Sequence, residues 1–192
     1  EFDISIFDIS SKKNLLKVIN IDLLKWVSEF FGINLEWLLN RTDVMYKIEN
    51  FDKFQVSFFR LLNSLSKDSV FEISVIKICD LKKNDTNAQK QIVYPIVRVK
   101  LMELNNRTIY KNILINYYLW DYRRSRIDFK TVIYMLMHKH VCYYKSSIRM
   151  KGYTKKEDVS YYDFQKGLVS YDNLILQYQG LSWYPEDYIE NA

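Results

Sequence analysis

Glycine and proline are scarce in this chain, with 4 Gly and 2 Pro among 192 residues. Loops that cradle phosphate groups need closely spaced glycines, and stiff extended linkers need prolines, so neither feature is expected here. The Gly-x-Ser-x-Gly, Walker and dinucleotide-binding motifs are absent as well. These absences favour a non-catalytic protein. No small-molecule substrate is evident from the sequence.

Cysteine is limited to Cys79 and Cys142, which are too few for a disulfide framework and favour a reducing compartment. The N-terminal residues lack the basic-then-apolar order of a signal peptide. The longest strongly apolar runs, such as Val132 to Met137, fall far short of the about 20 residues that cross a bilayer. The sequence therefore predicts a soluble, cytoplasmic protein that has no membrane partner.

Aromatic residues are abundant and make up 16% of the chain, with 16 Tyr, 11 Phe and 4 Trp. The fractions of hydrophobic residues (48%) and charged residues (27%) are ordinary for a globular protein. A chain of this length buries roughly 70% of its unfolded surface, enough for a core without disulfides. We expect a single domain over 1–192, with a mainly helical part at 1–80 and a hairpin followed by helices at 92–192.

The first third of the chain is predicted to be largely helical. Ile21 to Phe31 carries apolar residues at helical spacing and is followed by Gly32, a typical helix stop. Asn34 is the predicted N-cap of a second helix through about Leu39, and a third helix is expected from Asp52 to about Ser66. Upstream of these helices, FDISIFDIS (2–10) alternates as in a strand. The residues of the first two helices that we expect to be buried are Leu24, Val27, Phe30, Phe31, Trp37 and Leu38.

The hydrophobic period then changes to two. Phe71 to Ile78 alternates as in a half-buried strand, and the polar segment 81–91 is the expected loop and the best candidate boundary. Ile92 to Leu104 and Arg107 to Trp120 are predicted to form an antiparallel hairpin. Its turn is Asn105-Asn106, because Asn tolerates positive φ better than most residues.

Helices are predicted again toward the C-terminus. One begins at Asp128 as its N-cap and runs to about Met137, and another extends from about Lys156 to Gln179 with a weak point at Gly167. The segment between them, 141–150, fits a strand or a helix. The predicted fold class is therefore α+β, with N-terminal helices, a central antiparallel sheet at about 71–120 and C-terminal helices.

One segment resembles a known family, whose pattern is a helix ending in two hydrophobic residues and Gly, followed by a second helix containing Leu and Trp-Leu-Leu. The matching residues here are Leu24, Val27, Ser28, Phe30, Phe31, Gly32, Ile33, Leu35, Trp37, Leu38 and Leu39. Ile21 to Asp43 thus resembles the last two helices of the phage Cro/repressor helix-turn-helix family, over about one-eighth of the chain. Asn40 departs from the pattern, since the family usually has a small residue there.

The resemblance implies ancestry and packing. In such repressors the DNA-reading helix precedes the matched segment and places its N-terminal side chains in the major groove. Only residues 1–20 lie upstream here, and they show no helix-turn-helix pattern, so no base-reading residue is carried over. The resemblance implies two packing helices in a phage- or mobile-element-type protein.

Charge is unevenly distributed in the second half of the chain. From Arg107 to Lys156 there are twelve Lys or Arg and two acids, whereas from Glu157 to Ala192 there are seven acids and one Lys. A basic segment attracts phosphate backbones through counterion release, and interleaved aromatic rings can stack on unpaired bases. The predicted nucleic-acid contacts are Arg123, Arg124, Arg126, Lys145, Arg149, Lys151, Lys155 and Lys156, with Trp120 and Tyr122 for stacking.

Other interpretations of the same residues stay open. Tyr and Trp in strands usually pack in the core, and the basic segment would be neutralised internally if it paired with Asp163, Asp172, Glu186 or Asp187. Exposed aromatic residues would also suit a protein-interaction module or a homodimer interface without a nucleic-acid role. Salt-dependent binding to DNA or RNA distinguishes these alternatives.

A metal hypothesis rests on three residues of one short segment. On a strand, His138, His140 and Cys142 would share one face at period two, and zinc or copper accepts all three as ligands. On a helix only His138 and Cys142 would be neighbours, and no fourth ligand is evident. Beyond this zinc hypothesis, no cofactor is predicted.

Overall fold

The computed structural model describes residues 2, 4–50, 54–65, 71–77, 92–120, 122–137, 149–154, 161–177 and 189. The predicted α+β class is confirmed. In chain order the elements are α1 (Ile6–Ile9), α2 (Lys12–Val18), α3 (Ile21–Phe31), α4 (Leu35–Leu38), β1 (Ile48–Glu49), α5 (Phe54–Ser64), β2 (Phe71–Lys77), β3 (Ile92–Leu104), β4 (Arg107–Ile115), β5 (Tyr118–Leu119), α6 (Arg123–Met137), β6 (Arg149–Thr154), α7 (Tyr161–Gln165) and α8 (Tyr171–Gln177).

The strands form one mixed sheet in the order β1-β4-β3-β2-β6, and β5 continues beside β3 past the end of β4. β2, β3 and β4 are antiparallel, as expected for the central hairpin sheet, but β1 pairs with β4 and β6 pairs with β2 in parallel. Along the chain α5 lies between β1 and β2, and α6 lies between β5 and β6, so each helix links two strands that run in the same direction. Parallel strands need such crossover connections.

The predicted hairpin turn is confirmed. Asn105 and Asn106 both have positive φ, at 48° and 61°, the backbone conformation that two-residue turns of the I′ type require. The second strand is shorter than predicted: it ends at Ile115 and pairing resumes only at β5. Residues 116–117 interrupt the ladder between them.

Helices cover both faces of the sheet, and each face has its own hydrophobic cluster. The first core cluster packs α5 and α6 on one face, around Phe58, Leu62, Val97, Trp120 and Ile133. The second core cluster lies on the other face. It packs α7 and α8 around Ile96, Leu114, Phe164, Tyr171 and Leu174.

The expectation of a half-buried β2 is wrong, because this strand lies inside the sheet. Phe71, Ile73 and Val75 face the first core cluster, whereas Ser74 and Ile76 face the second side, and all five are buried. Its neighbours β3 and β6 also satisfy its backbone on both sides. The alternation of residues along β2, from which one solvent-exposed face was predicted, therefore belongs to a strand whose two faces are both covered by helices.

The predicted end of the first helix at Gly32 and the predicted N-cap of the second helix at Asn34 are both confirmed. α3 spans the predicted residues and ends at Gly32, which has a φ of 70°, and the Asn34 side chain caps α4 by accepting from the Glu36 N–H. The strand expected at 2–10 is instead helix α1. Its Ser5 and Asp8 side chains form a capping box, which outweighs the alternating pattern.

The burial predicted for α3 and α4 is only partly correct. Leu23 is the buried residue of α3, while the six expected core residues, from Leu24 to Leu38, are half-buried. The reason is that α3 packs against the edge of the sheet at β4, where the Lys111 ammonium donates to the Glu29 carbonyl. Only one side of the helix is therefore covered by the rest of the described structure. Phe30 stacks on the partly exposed Trp26.

Two C-terminal boundaries differ from the prediction. α6 begins at Arg123, a turn and a half before Asp128, so Asp128 is not an N-cap but a mid-helix residue. The long helix expected at 156–179 is two short helices, because Gly167 has a φ of 75° and turns the chain between them. The predicted loop at 81–91 lies outside the described residues, and so does 141–148. Residues 149–150 belong to β6.

None of the helices in the described part of the chain is long and apolar enough to cross a membrane.

Candidate nucleic-acid interface

Trp120, a predicted base-stacking residue, is buried in the first core cluster with no exposed surface. Its ring lies edge-on to Phe129, with centroids 6.3 Å apart, and the Lys130 ammonium is 5.3 Å from the ring centroid. A side chain with no exposed surface cannot stack on a base. The prediction for Trp120 is therefore wrong. Burial of the large indole in the core stabilises the fold, and this explains its position.

Arg126 is also occupied within the fold. Its Nη1 donates to the Trp120 carbonyl at 2.7 Å, and its side chain is half-buried. The Arg126 backbone N–H donates to the Tyr122 carbonyl as α6 begins. Arg126 therefore holds the turn between β5 and α6 and is removed from the set of contact candidates.

Arg123 and Arg124 remain exposed in the first turn of α6, next to Tyr122, which is 58% exposed. Within the described ranges, neither guanidinium has a hydrogen bond or an ion pair. Positive charge at a helix N-terminus opposes the helix dipole and costs the helix a few tenths of a kcal/mol per charge. These arginines therefore do not stabilise α6 itself.

The structure adds Arg60, which the sequence reasoning missed. Arg60 is exposed on α5, the helix that lies beside α6, and the two helices are joined by a hydrogen bond from Gln55 Nε2 to Asp128 Oδ1 of 2.9 Å. Its sequence signal is a lone cation on the polar face of an apolar helix. We define the α5–α6 surface as the exposed cations and large apolar or aromatic side chains of the two helices and of the residue just before α6: Val56, Arg60, Tyr122, Arg123, Arg124, Ile127 and Tyr134.

No acidic residue lies on the α5–α6 surface. The α5 sequence has no Asp or Glu, and Asp128 is the one acid of α6. Asp128 is part-buried and accepts the interhelical hydrogen bond from Gln55. The surface therefore carries the positive charge of Arg60, Arg123 and Arg124 without local compensation in the part of the chain that the structure describes.

The acidic residues Asp163 and Asp172 lie on the far side of the sheet from these arginines. They belong to α7 and α8, which pack against the second core cluster, so the sheet separates them from α6. On that side Asp43 pairs with Lys166, Oδ2 to Nζ, at 2.7 Å. Glu186 and Asp187 lie outside the described residues, although Ile189 packs against the first core cluster.

The remaining predicted basic residues are not all brought to the same place. In the register of the β2–β6 ladder, Arg149 lies opposite Glu72 and Thr154 lies opposite Lys77. The Thr154 end of β6 is nearer to β5, which pairs with β3, and Arg149 is at the other end of the strand. At about 3.3 Å per residue this places Arg149 roughly 17 Å along the sheet from Thr154. Lys151 is in the middle of β6, and Lys145, Lys155 and Lys156 lie outside the described residues.

The three predicted metal ligands, His138, His140 and Cys142, also lie outside the described residues. Among the residues that are described, no group of three His, Cys, Asp or Glu side chains is placed to hold a metal ion.

A cleft of about 170 Å³ lies at the β1–β4 edge, where the corner between α3 and α4 meets the sheet. Two polar side chains in its lining already hold that corner: the Ser28 hydroxyl donates to the Ile33 carbonyl at 2.6 Å and the Asn34 amide donates to the Val44 carbonyl at 3.1 Å. We interpret these groups as structural.

Burial raises the pKa of the Tyr118 hydroxyl far above its ordinary value, and the charge of Asp128 raises it further. Tyr118 thus stays protonated at every physiological pH. It belongs to the first core cluster, with its ring 5.0 Å from that of Phe129. Its perturbed pKa is explained by core packing and does not indicate an active site.

By its fold this is an α+β protein with a mixed sheet between two helical layers, one of which presents a basic surface. Comparison with protein-family models, curated proteins and solved structures finds no match.

Proposed function

We propose that this chain is a non-catalytic accessory protein of the phage or mobile-element type that contacts nucleic acid through the α5–α6 surface. The observation that supports the contact is the grouping of Arg60, Arg123 and Arg124 on one helical layer, which carries no outward acid among the described residues. Phosphate backbones bind such a surface by releasing condensed counterions. The phage-type ancestry rests on the resemblance of Ile21 to Asp43 alone.

The separation of charge across the sheet supports the same proposal. Asp163 and Asp172 are on the α7–α8 side and do not neutralise the arginines of α6. Asp43, on that side, is paired with Lys166. Asp163 and Asp172 thus face away from the three arginines, which leaves the positive charge of the α5–α6 surface available to a polyanion.

The test is the salt dependence of oligonucleotide binding to the full chain. Three phosphate contacts predict a slope of about −2 to −3 in log affinity against log salt. R123A/R124A is expected to reduce the slope by about 1.4 to 1.8 and to leave the fold intact, because exposed charges contribute little stability.

The matched control is R41A/K166A, which removes two exposed cations of the N-terminal and α7 segments. It should leave the slope unchanged. The proposal is wrong if no salt-sensitive binding to DNA or RNA is seen at low ionic strength, or if both double variants change the slope equally.

A second candidate function is a protein-interaction module, and the N-terminal helices favour it. Phe7, Ile9 and Leu16 are 72%, 58% and 62% exposed, and Trp26 is 44% exposed. Such a concentration of exposed apolar side chains is typical of interaction surfaces. Sedimentation analysis of the purified chain distinguishes a homodimer on this surface from a monomer.

A further inference from the structure

The two helices of the basic surface form a layer that is too wide for a DNA groove. α6 turns Phe129, Val132 and Ile133 inward onto the sheet, and α5 lies beside it. Each helix is about 10–12 Å in diameter with its side chains, so the layer is about 20 Å wide. The major groove of B-DNA is about 12 Å wide. The base edges of a duplex are therefore out of reach of most of this surface.

The same surface nevertheless exposes large planar and apolar side chains. Tyr122 and Tyr134 are 58% and 50% exposed, and Ile127 between them is 49% exposed. Tyr122 immediately precedes α6, and at 1.5 Å per residue the two tyrosines lie about 18 Å apart along the helix axis. In a duplex the bases are stacked inside and unavailable to these rings, whereas a single strand offers the face of each base.

Resting on the proposed function above, we propose that the α5–α6 surface takes single-stranded nucleic acid in preference to duplex. Arg123 and Arg124 contact the phosphates near Tyr122, and Arg60 contacts them on the neighbouring helix. Tyr122 and Tyr134 stack on unpaired bases. Stacking of this kind tolerates any base, so we expect little sequence preference.

The experiment measures anisotropy of a labelled oligothymidylate, a labelled oligouridylate and a duplex of the same length, each with the full chain at one salt concentration. We expect both single strands to bind at least about tenfold more tightly than the duplex. The ratio between the DNA and RNA strands then identifies which of them the surface prefers. Y122A/Y134A should weaken single-strand binding at least about fivefold for each tyrosine that stacks. It should leave duplex binding and the salt slope unchanged, because no charge is removed.

The matched control is Y117A/Y162A. These tyrosines are 45% and 53% exposed but belong to the other side of the sheet, where Tyr117 contacts Tyr94 and Tyr162 is part of α7. The control should bind single strands as the unmodified chain does, and circular dichroism verifies the fold of both variants.

Equal or tighter binding of the duplex, with Y122A/Y134A unaffected, would overturn this inference and leave the proposed function standing. A loss of single-strand affinity in Y117A/Y162A as large as in Y122A/Y134A would also overturn it. Absence of salt-sensitive binding to every probe would overturn both proposals.

Discussion

Arg98 joins the sheet to α8, and its removal is the most informative test of the packing. Its guanidinium lies between two aromatic rings, 3.8 Å from the centroid of Tyr110 and 3.6 Å from that of Tyr171. It also pairs with Glu72 directly across the β2–β3 ladder, and the side chains of Arg98 and Glu72 are 12% and 25% exposed. The Tyr171 hydroxyl in turn hydrogen-bonds with that of Ser74.

The expected effect follows from these contacts. Each ring contact of a partly desolvated guanidinium contributes about 1 kcal/mol, and the buried stem contributes about 2 kcal/mol more. Loss of the ion pair adds about 1 kcal/mol, a modest amount because Glu72 can still reach water. Together these contributions come to about 5 kcal/mol, which is the amount by which we expect Arg98→Ala to lower the free energy of unfolding. Arg98→Lys keeps the charge but not the planar stacking, so it should cost about 1–2 kcal/mol.

Urea unfolding followed by far-UV circular dichroism measures these differences as changes in midpoint at constant m-value. Arg41→Ala is the control, since its pair with Glu36 is exposed and 3.5 Å long and should contribute less than about 1 kcal/mol. If Arg98→Ala matches Arg41→Ala, or if Arg98→Lys is as stable as the unmodified chain, the reasoning about the stacked guanidinium is refuted.

Two further predictions concern the segment around α7. Gly167→Ala should lower the free energy of unfolding by about 2–3 kcal/mol, because the position has positive φ and the new Cβ would overlap the Met45 sulfur. Adding Met45→Ala should relieve the overlap, and equal stability of Gly167→Ala and the unmodified chain in urea would contradict the argument. The hydrogen bond and charge of Lys166 lower the pKa of Asp43 below its ordinary value of 3.8, and Asp43 raises the pKa of Lys166. The stabilisation by this pair is therefore present above the Asp pKa of the unfolded chain and lost as pH falls through the lowered pKa. It is lost again as pH rises through the raised pKa of Lys166. NMR titration should show the Asp43 pKa moving back toward 3.8 in Lys166→Met, and an unchanged pKa would show that Lys166 is not the cause.

The local part of the fold could be predicted because its signals lie within a few residues of one another. Gly32 ends α3 because it adopts positive φ, and Asn34 caps α4 with its own side chain. Asn105 and Asn106 form the hairpin turn for a similar reason. α1 shows the limit of period counting, since the capping box of Ser5 and Asp8 outweighs an alternating pattern.

The candidate site was only partly predictable. Arg123, Arg124 and Tyr122 are exposed as the proposal needs, but Trp120 and Arg126 in the same short segment are used by the core and by the turn before α6. Sequence proximity does not separate these roles, because they depend on which side of the chain meets the sheet. Arg60 could not be associated with the arginines of α6, since more than sixty residues separate them in the sequence.

The α+β class, the caps of α3 and α4, the hairpin turn and the uneven charge of the second half could be predicted from the sequence, because they follow from local conformational preference and composition. The tertiary structure alone shows that β2 is covered on both faces and that the crossover helices α5 and α6 lie together on one face. It also placed Asp163 and Asp172 on the opposite face. Those outcomes depend on strand pairing and on burial between segments far apart in the chain. The free energy of such contacts exists only once the whole sheet is assembled, and no short stretch of residues encodes it.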